Sequence, residues 1–229
     1  SGADGGSVLV QSDPRPHRLR IGLYDRVDGR VVRRDQFSLD IHEERTPVEV
    51  PGADLVLLND DDLTYAKVRL DDLSLATVEE SLSAIEDPLA RALVWSSLWN
   101  ATRDGELSAT RYVSIVRAHA PHESNIGLLV GILANTLFAL RHYVADGVRH
   151  DQQRAWIDTT WTALQTAEAA SDAQLSWARA FATASSFDDS RRDDVRGLLE
   201  GAVPDGLTVD PDLRWQLLTA LVTTGHAGA

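Results

Sequence analysis

The sequence predicts an α+β chain of two parts: a small N-terminal antiparallel β-sandwich, then a larger all-α domain of stacked antiparallel helix pairs in a HEAT-like arrangement. Three observations predict it. Apolar and polar residues alternate over His17–Tyr24, short apolar runs separated by turn signals recur up to Leu70, and from about Ser74 the apolar spacing becomes that of helices. Residues 1–7 read as a tag or disordered tail, 8–73 as the sandwich and 74–229 as the helical domain.

Taking the elements in order, Leu19, Ile21 and Leu23 alternate with Arg18, Arg20 and Gly22, the period-two pattern of a strand with one face in a core. Asp28-Gly29 follows, a pair favoured in tight hairpins because both residues tolerate positive φ. Phe37, Leu39 and Ile41 share one face of the return strand. Shorter strand-like runs lie at Val48–Val50, Leu55–Leu57 and Tyr65–Leu70, with breaks at Pro47, Pro51-Gly52 and the Asn59–Asp62 cluster. Beyond Ser74, Leu75, Val78, Leu82 and Ile85 keep helical spacing. Asp87-Pro88 then supplies an N-cap aspartate with proline in the first turn, and Asp210-Pro211 repeats the device near the end. Between them the spacing predicts helices over 108–119, 123–144, 148–169, 172–185 and 189–200, with a last one over 211–224. Links such as Ala170-Ser171 and Pro204-Asp205-Gly206 are short, so consecutive helices pack antiparallel.

Composition narrows the function. The chain has 229 residues, of which 43% are hydrophobic and 25% charged, values ordinary for a soluble globular protein. Acidic residues number 35 against 22 basic, and the net charge of −13 repels phosphate backbones, which argues against nucleic acid as a partner. The longest uncharged run, between Glu123 and Arg141, is shorter than a membrane span and reads as a buried helix, so no membrane partner is expected. Cysteine is absent, which removes disulfides, thiolate metal sites and cysteine nucleophiles. With no secretory signal at the start, a cytoplasmic location is expected. The absence of methionine points to a piece cut from a longer protein.

Motifs for chemistry are missing. A zinc protease helix of the H-E-x-x-H type needs two histidines one turn apart, and neither His42-Glu43 nor His122-Glu123 has the second one. His119 and His122 flank Pro121, which breaks a continuous helix, so this stretch reads as an interhelical surface loop rather than a metal site. Asp60-Asp61-Asp62 lacks the alternating ligands and central glycine of a calcium loop and reads as a turn. No nucleophile elbow or nucleotide-binding glycine loop is present. The six tryptophans all fall in predicted helices and read as packing residues.

Several strings carry a family resemblance. Arg15–Tyr24 resembles the β-sandwich that follows the catalytic domain in actinobacterial aminopeptidase N family proteins, and Asp54–Leu70 resembles the end of that sandwich. Asp87–Trp95, continuing through Trp99–Leu107, resembles the opening helices of the family's ERAP-like C-terminal domain, and Asp212–Leu218 one of its later helices. The resemblance runs in order from about residue 8 to the end. It implies a zinc metallopeptidase parent that releases N-terminal residues from peptides, with zinc held by a domain outside this chain. No catalytic or metal residue is expected here, substrate-binding residues are unassigned, and the fragment alone is expected to be inactive and to contain no cofactor. The sandwich is expected to be incomplete at its N-terminal side and the helical domain truncated. The implied partners are the catalytic domain of the same polypeptide and the peptide substrate of the parent. The piece would space and cap the catalytic chamber and gate access to it. The alternative is an independent helical-repeat interaction module joined to a β-sandwich.

Overall fold

The computed structural model describes residues 6–226. Residues 1–5 of the expected tail lie outside the described residues, while Gly6 and Ser7 open the first strand. The strands are β1 (Gly6–Val10), β2 (His17–Val27), β3 (Arg30–Ile41), β4 (Arg45–Glu49) and β5 (Leu55–Leu58). All their pairings are antiparallel, giving a two-stranded sheet β1-β4 and a three-stranded sheet in the order β3-β2-β5. Asp28 and Gly29 close the β2–β3 hairpin at φ 50° and 78°, the left-handed pair that matches a two-residue turn to the twist of its strands.

The alternation read in β2 has a double use. Leu19, Ile21 and Leu23 face a core shared with Leu9 of β1 and Ile41 of β3, and Phe37, Leu39 and Val48 pack at its margin. Gly22 and Tyr24, on the opposite face, are buried as well. That second face is covered by the segment after β5.

Two helices belong with the sheets. Helix α1 (Asp72–Ser81) starts at the Asp71 cap and is tied to β5 by the Val56 amide donating to Ser74 Oγ at 2.9 Å. Thr77 Oγ1 donates to the Asp54 carbonyl at 2.6 Å. After a single 3₁₀ turn at Leu82–Ala84, Ile85 bridges to Val31 of β3, and α2 (Pro88–Arg103) begins on the Asp87 cap. This packing explains why the first compact unit runs through Leu107 and the second starts at Ser108.

The second unit contains α3 (Ala109–His119), a 3₁₀ turn at Ala120–His122, α4 (Ile126–His142), α5 (Asp146–Thr166), α6 (Asp172–Ala184), α7 (Arg192–Glu200) and α8 (Pro211–Thr223). Ser108, Asn125, Ser171 and Asp210 each cap a helix by accepting a backbone N–H from its first turn. Consecutive helices pair, α3 with α4, α5 with α6 and α7 with α8, and α6 also touches both α4 and α8. Trp156 and Trp177 meet between α5 and α6 with ring centroids 6.2 Å apart. The uncharged run becomes α4, whose Leu129, Ile132, Leu133, Ala139 and Leu140 are buried. Among the described residues, no helix is long and apolar enough to cross a membrane.

Two expectations fail. Tyr65–Leu70 forms no strand: the segment is coil, because its backbone meets a helix rather than a ladder and Ser97 Oγ of α2 donates to the Val68 carbonyl at 2.9 Å. The tryptophans are not uniformly packed. Trp95, Trp156 and Trp177 are buried, Trp99 and Trp161 partly so, and Trp215 is 70% exposed.

Candidate functional site

The densest polar constellation lies where the sheets hand over to the helices, and Asp60 is its centre. The loop leaving β5 places Asn59, Asp61 and Asp62 in left-handed backbone at φ 57°, 69° and 53°. Such positions cost about 1–3 kcal/mol each for residues other than glycine and persist only where the surroundings over-determine them. Asn59 provides much of that determination. Its Nδ2 donates to the Thr64 carbonyl at 2.7 Å and to Asp62 Oδ1 at 3.2 Å, while its Oδ1 accepts the Thr64 amide at 3.0 Å. Thr64 Oγ1 in turn lies 2.7 Å from His17 Nδ1.

Within this loop the Asp60 carboxylate, 1% exposed, lies over Gly22 of β2. Tyr24 Oη donates to Oδ1 at 2.9 Å, and Arg33 Nη1 and Gln36 Nε2 each donate to Oδ2 at 3.1 Å. The neighbouring Asp61 accepts from Arg20, from Arg33 at 3.1 Å and from Gln36 at 3.0 Å. Arg33 reaches on with Nη2 to Asp87 Oδ2 at 2.6 Å, so one guanidinium joins β3, the loop and the N-cap of α2. Burial raises the pKa of Asp60, and burial followed by the Asp60 charge raises that of Tyr24. Asp61 is lowered, chiefly by the hydrogen bond from Arg20.

The three aspartates therefore act as the turn that the sequence predicts, and Asp60 and Asp61 take donors from their own chain. Sequence reasoning missed Gly22, Tyr24, Arg33 and Gln36 as members of this node. A glycine inside an alternating strand was the available signal, because it marks a close approach of something to the backbone. The coil that follows is strapped down by Lys67 Nζ to Asp104 at 2.9 Å and by Arg69 to Asp104 and Glu106.

Elsewhere the chemistry is sparse. His119 and Glu123 are buried and His122 is exposed. Among the described residues, no group of three or more His, Asp or Glu side chains is placed to hold a metal ion, so these residues do not fit a zinc site. An open groove of about 390 Å³ on the helical unit is lined by Trp161 and Gln165 of α5 and by Asp193, Asp194 and Gly197 of α7. Its two carboxylates already meet Arg192 at 3.4 Å and Arg191 at 3.3 Å. What the described side chains build is bracing: a densely hydrogen-bonded loop after β5 and capped, paired helices.

Residues 55–229 match the ERAP1-like C-terminal domain family, a span that opens at β5 and takes in Asp60, Asp61 and Asp87 of the node but not its β2 and β3 members. The chain is also 41% identical, over 235 aligned positions covering all of it, to aminopeptidase N of Streptomyces lividans. It spans 27% of that protein's length.

Proposed function

This chain belongs to the ERAP1-like C-terminal domain family, and on that premise we propose that it is the non-catalytic C-terminal portion of a zinc-dependent aminopeptidase. The observation that carries the reading is the 41% identity running the whole length of the chain while covering 27% of an aminopeptidase N. The parent polypeptide releases N-terminal amino acids from peptides. Its zinc is held by residues outside this chain, where it supplies Lewis-acid activation of water. The residues present here space and cap the catalytic chamber and govern which peptides enter, working as part of one cytoplasmic polypeptide with the catalytic domain as their partner. Closure of such a chamber excludes water and its opening admits substrate. Each compact unit contributes fixed local structure to that task, the braced loop in the first and the capped helices in the second.

The test is to express the full-length polypeptide and this chain separately and assay both on peptides with and without a chelator. Chelator-sensitive release of N-terminal residues by the full-length form alone is expected. Its absence there, or equal turnover by this chain alone, would refute the assignment.

A further inference from the structure

The loop that holds Asp60 ends in an apolar tip. Leu63 is 48% exposed and Tyr65 is 103% exposed, although the backbone carrying them is fixed on both sides. On one side stand the left-handed Asn59, Asp61 and Asp62, the Asn59 amide clamp and the His17–Thr64 contact. On the other, Lys67 and Arg69 are ion-paired to Asp104 and Glu106, and the Val68 carbonyl accepts from Ser97. Strained backbone is thus maintained under a leucine that the described residues leave half-exposed and a tyrosine that they leave fully exposed. Pre-organised display of this kind lowers the ordering cost of an association.

We propose that Leu63 and Tyr65 form a docking tip for the part of the parent polypeptide that lies outside this chain, seated in an apolar pocket with a hydrogen-bond partner for the phenol. The inference rests on the aminopeptidase reading above. The size of the tip selects the occupant. A fully exposed tyrosine and a half-exposed leucine offer roughly 300 Å², counting about 200 Å² for the aromatic side chain. A stable complex between separate molecules takes about 800 Å² from each partner. A contact this small is sustained when its partner is covalently tethered, because the effective concentration is then about millimolar and most of the association entropy has already been lost. The chain spans 27% of its aminopeptidase relative, so a polypeptide of that length has ample further surface to receive the tip.

The test places single cysteines in this cysteine-free stretch of the full-length polypeptide, Tyr65→Cys and Leu63→Cys, with Thr219→Cys on the exposed face of α8 as reference. The rate of alkylation by a maleimide is followed at each site by mass spectrometry. Both tip cysteines are expected to react at least about tenfold more slowly than the reference at every protein concentration, tenfold being about 1.4 kcal/mol of protection. Labelling at the reference rate overturns the docking. So does protection that appears only at high concentration, which assigns the tip to a second copy, or only with added peptide, which assigns it to substrate. Peptidase activity measured on the same samples keeps the two readings apart. An active enzyme with a freely labelled tip loses this inference alone, and a protected tip in an inactive protein supports the docking while refuting the enzyme reading.

Discussion

Gly22 and Asp60 compete for the same space: a Cβ added at Gly22 would lie 2.2 Å from Asp60 Oδ2 and 2.7 Å from the Tyr24 ring. Gly22→Ala is therefore expected to cost about 1–3 kcal/mol through overpacking, read by urea denaturation. Asp60→Ala removes the acceptor that Tyr24, Arg33 and Gln36 share, and because Arg33 keeps Asp61 and Asp87 the expected cost is that of donors left unsatisfied, about 1–3 kcal/mol. In the double variant the two costs should fall short of their sum by at least about 1 kcal/mol, because the alanine methyl then occupies space the carboxylate has left. Strict additivity would show that Gly22 is needed for some other reason. Asp61, beside it, responds to pH. Its pKa lies below the ordinary carboxylate value because Arg20 hydrogen-bonds to it, so its stabilisation is present above about pH 4 and is lost as pH falls through the depressed value. Asp60 has the opposite sign: its raised pKa gives a contribution that is present at low pH and lost as pH rises through that value. Asp61→Asn should thus be less stable than the parent sequence at pH 7, by up to about 1 kcal/mol for a partly exposed pair, and the difference should shrink as the pH is lowered through the depressed value. A penalty of equal size on both sides of that value would exclude the charge as its source.

Helix α2 depends on Asp87 twice, since the same carboxylate accepts the Leu89 and Ala90 amides and meets Arg33. Replacing it with alanine is expected to cost about 1–2 kcal/mol, whereas asparagine, which can cap but cannot pair with a cation, should recover most of the loss. Hydrogen exchange at the Leu89 and Ala90 amides would follow both. Equal exchange in the two variants would show that the ion pair, not the cap, holds the helix start. Asp87-Pro88 was legible in the sequence because a cap is a local arrangement, and so were Asp28-Gly29 and the alternation of Leu19, Ile21 and Leu23. The node was not, because Asp60 finds Tyr24, Arg33 and Gln36 between 24 and 36 residues away and no spacing rule reaches that far. Tyr65–Leu70 deceived for a related reason. Its alternation is that of a strand, but Lys67 and Arg69 point one way to pair with Asp104 and Glu106, so periodicity recorded a strap across a helix end. Trp215 lies in the helix that the sequence predicts, yet periodicity alone could not tell that its face would be open.

For the molecule as a whole, the proposed function requires that local bracing reach chemistry performed by residues outside this chain. If the chain gates a chamber, loosening its joint should alter the passage of large substrates and leave the bond-breaking step untouched. Asp87→Ala in the full-length polypeptide is suited to this, because it removes one of the three carboxylates that hold Arg33 and uncaps α2, at a position where, among the described residues, no metal-binding group is assembled. For a single aminoacyl arylamide, which needs little room, kcat/KM should stay within about twofold of the parent sequence. For a peptide of ten residues it should change by about fivefold to tenfold, a difference of about 1.0–1.4 kcal/mol in transition-state stabilisation. Selectivity by length would then be written in the joint rather than in the reacting groups. A parallel fall for both substrates, with no change in their ratio, would mean that the node only keeps the protein folded and that access is controlled elsewhere.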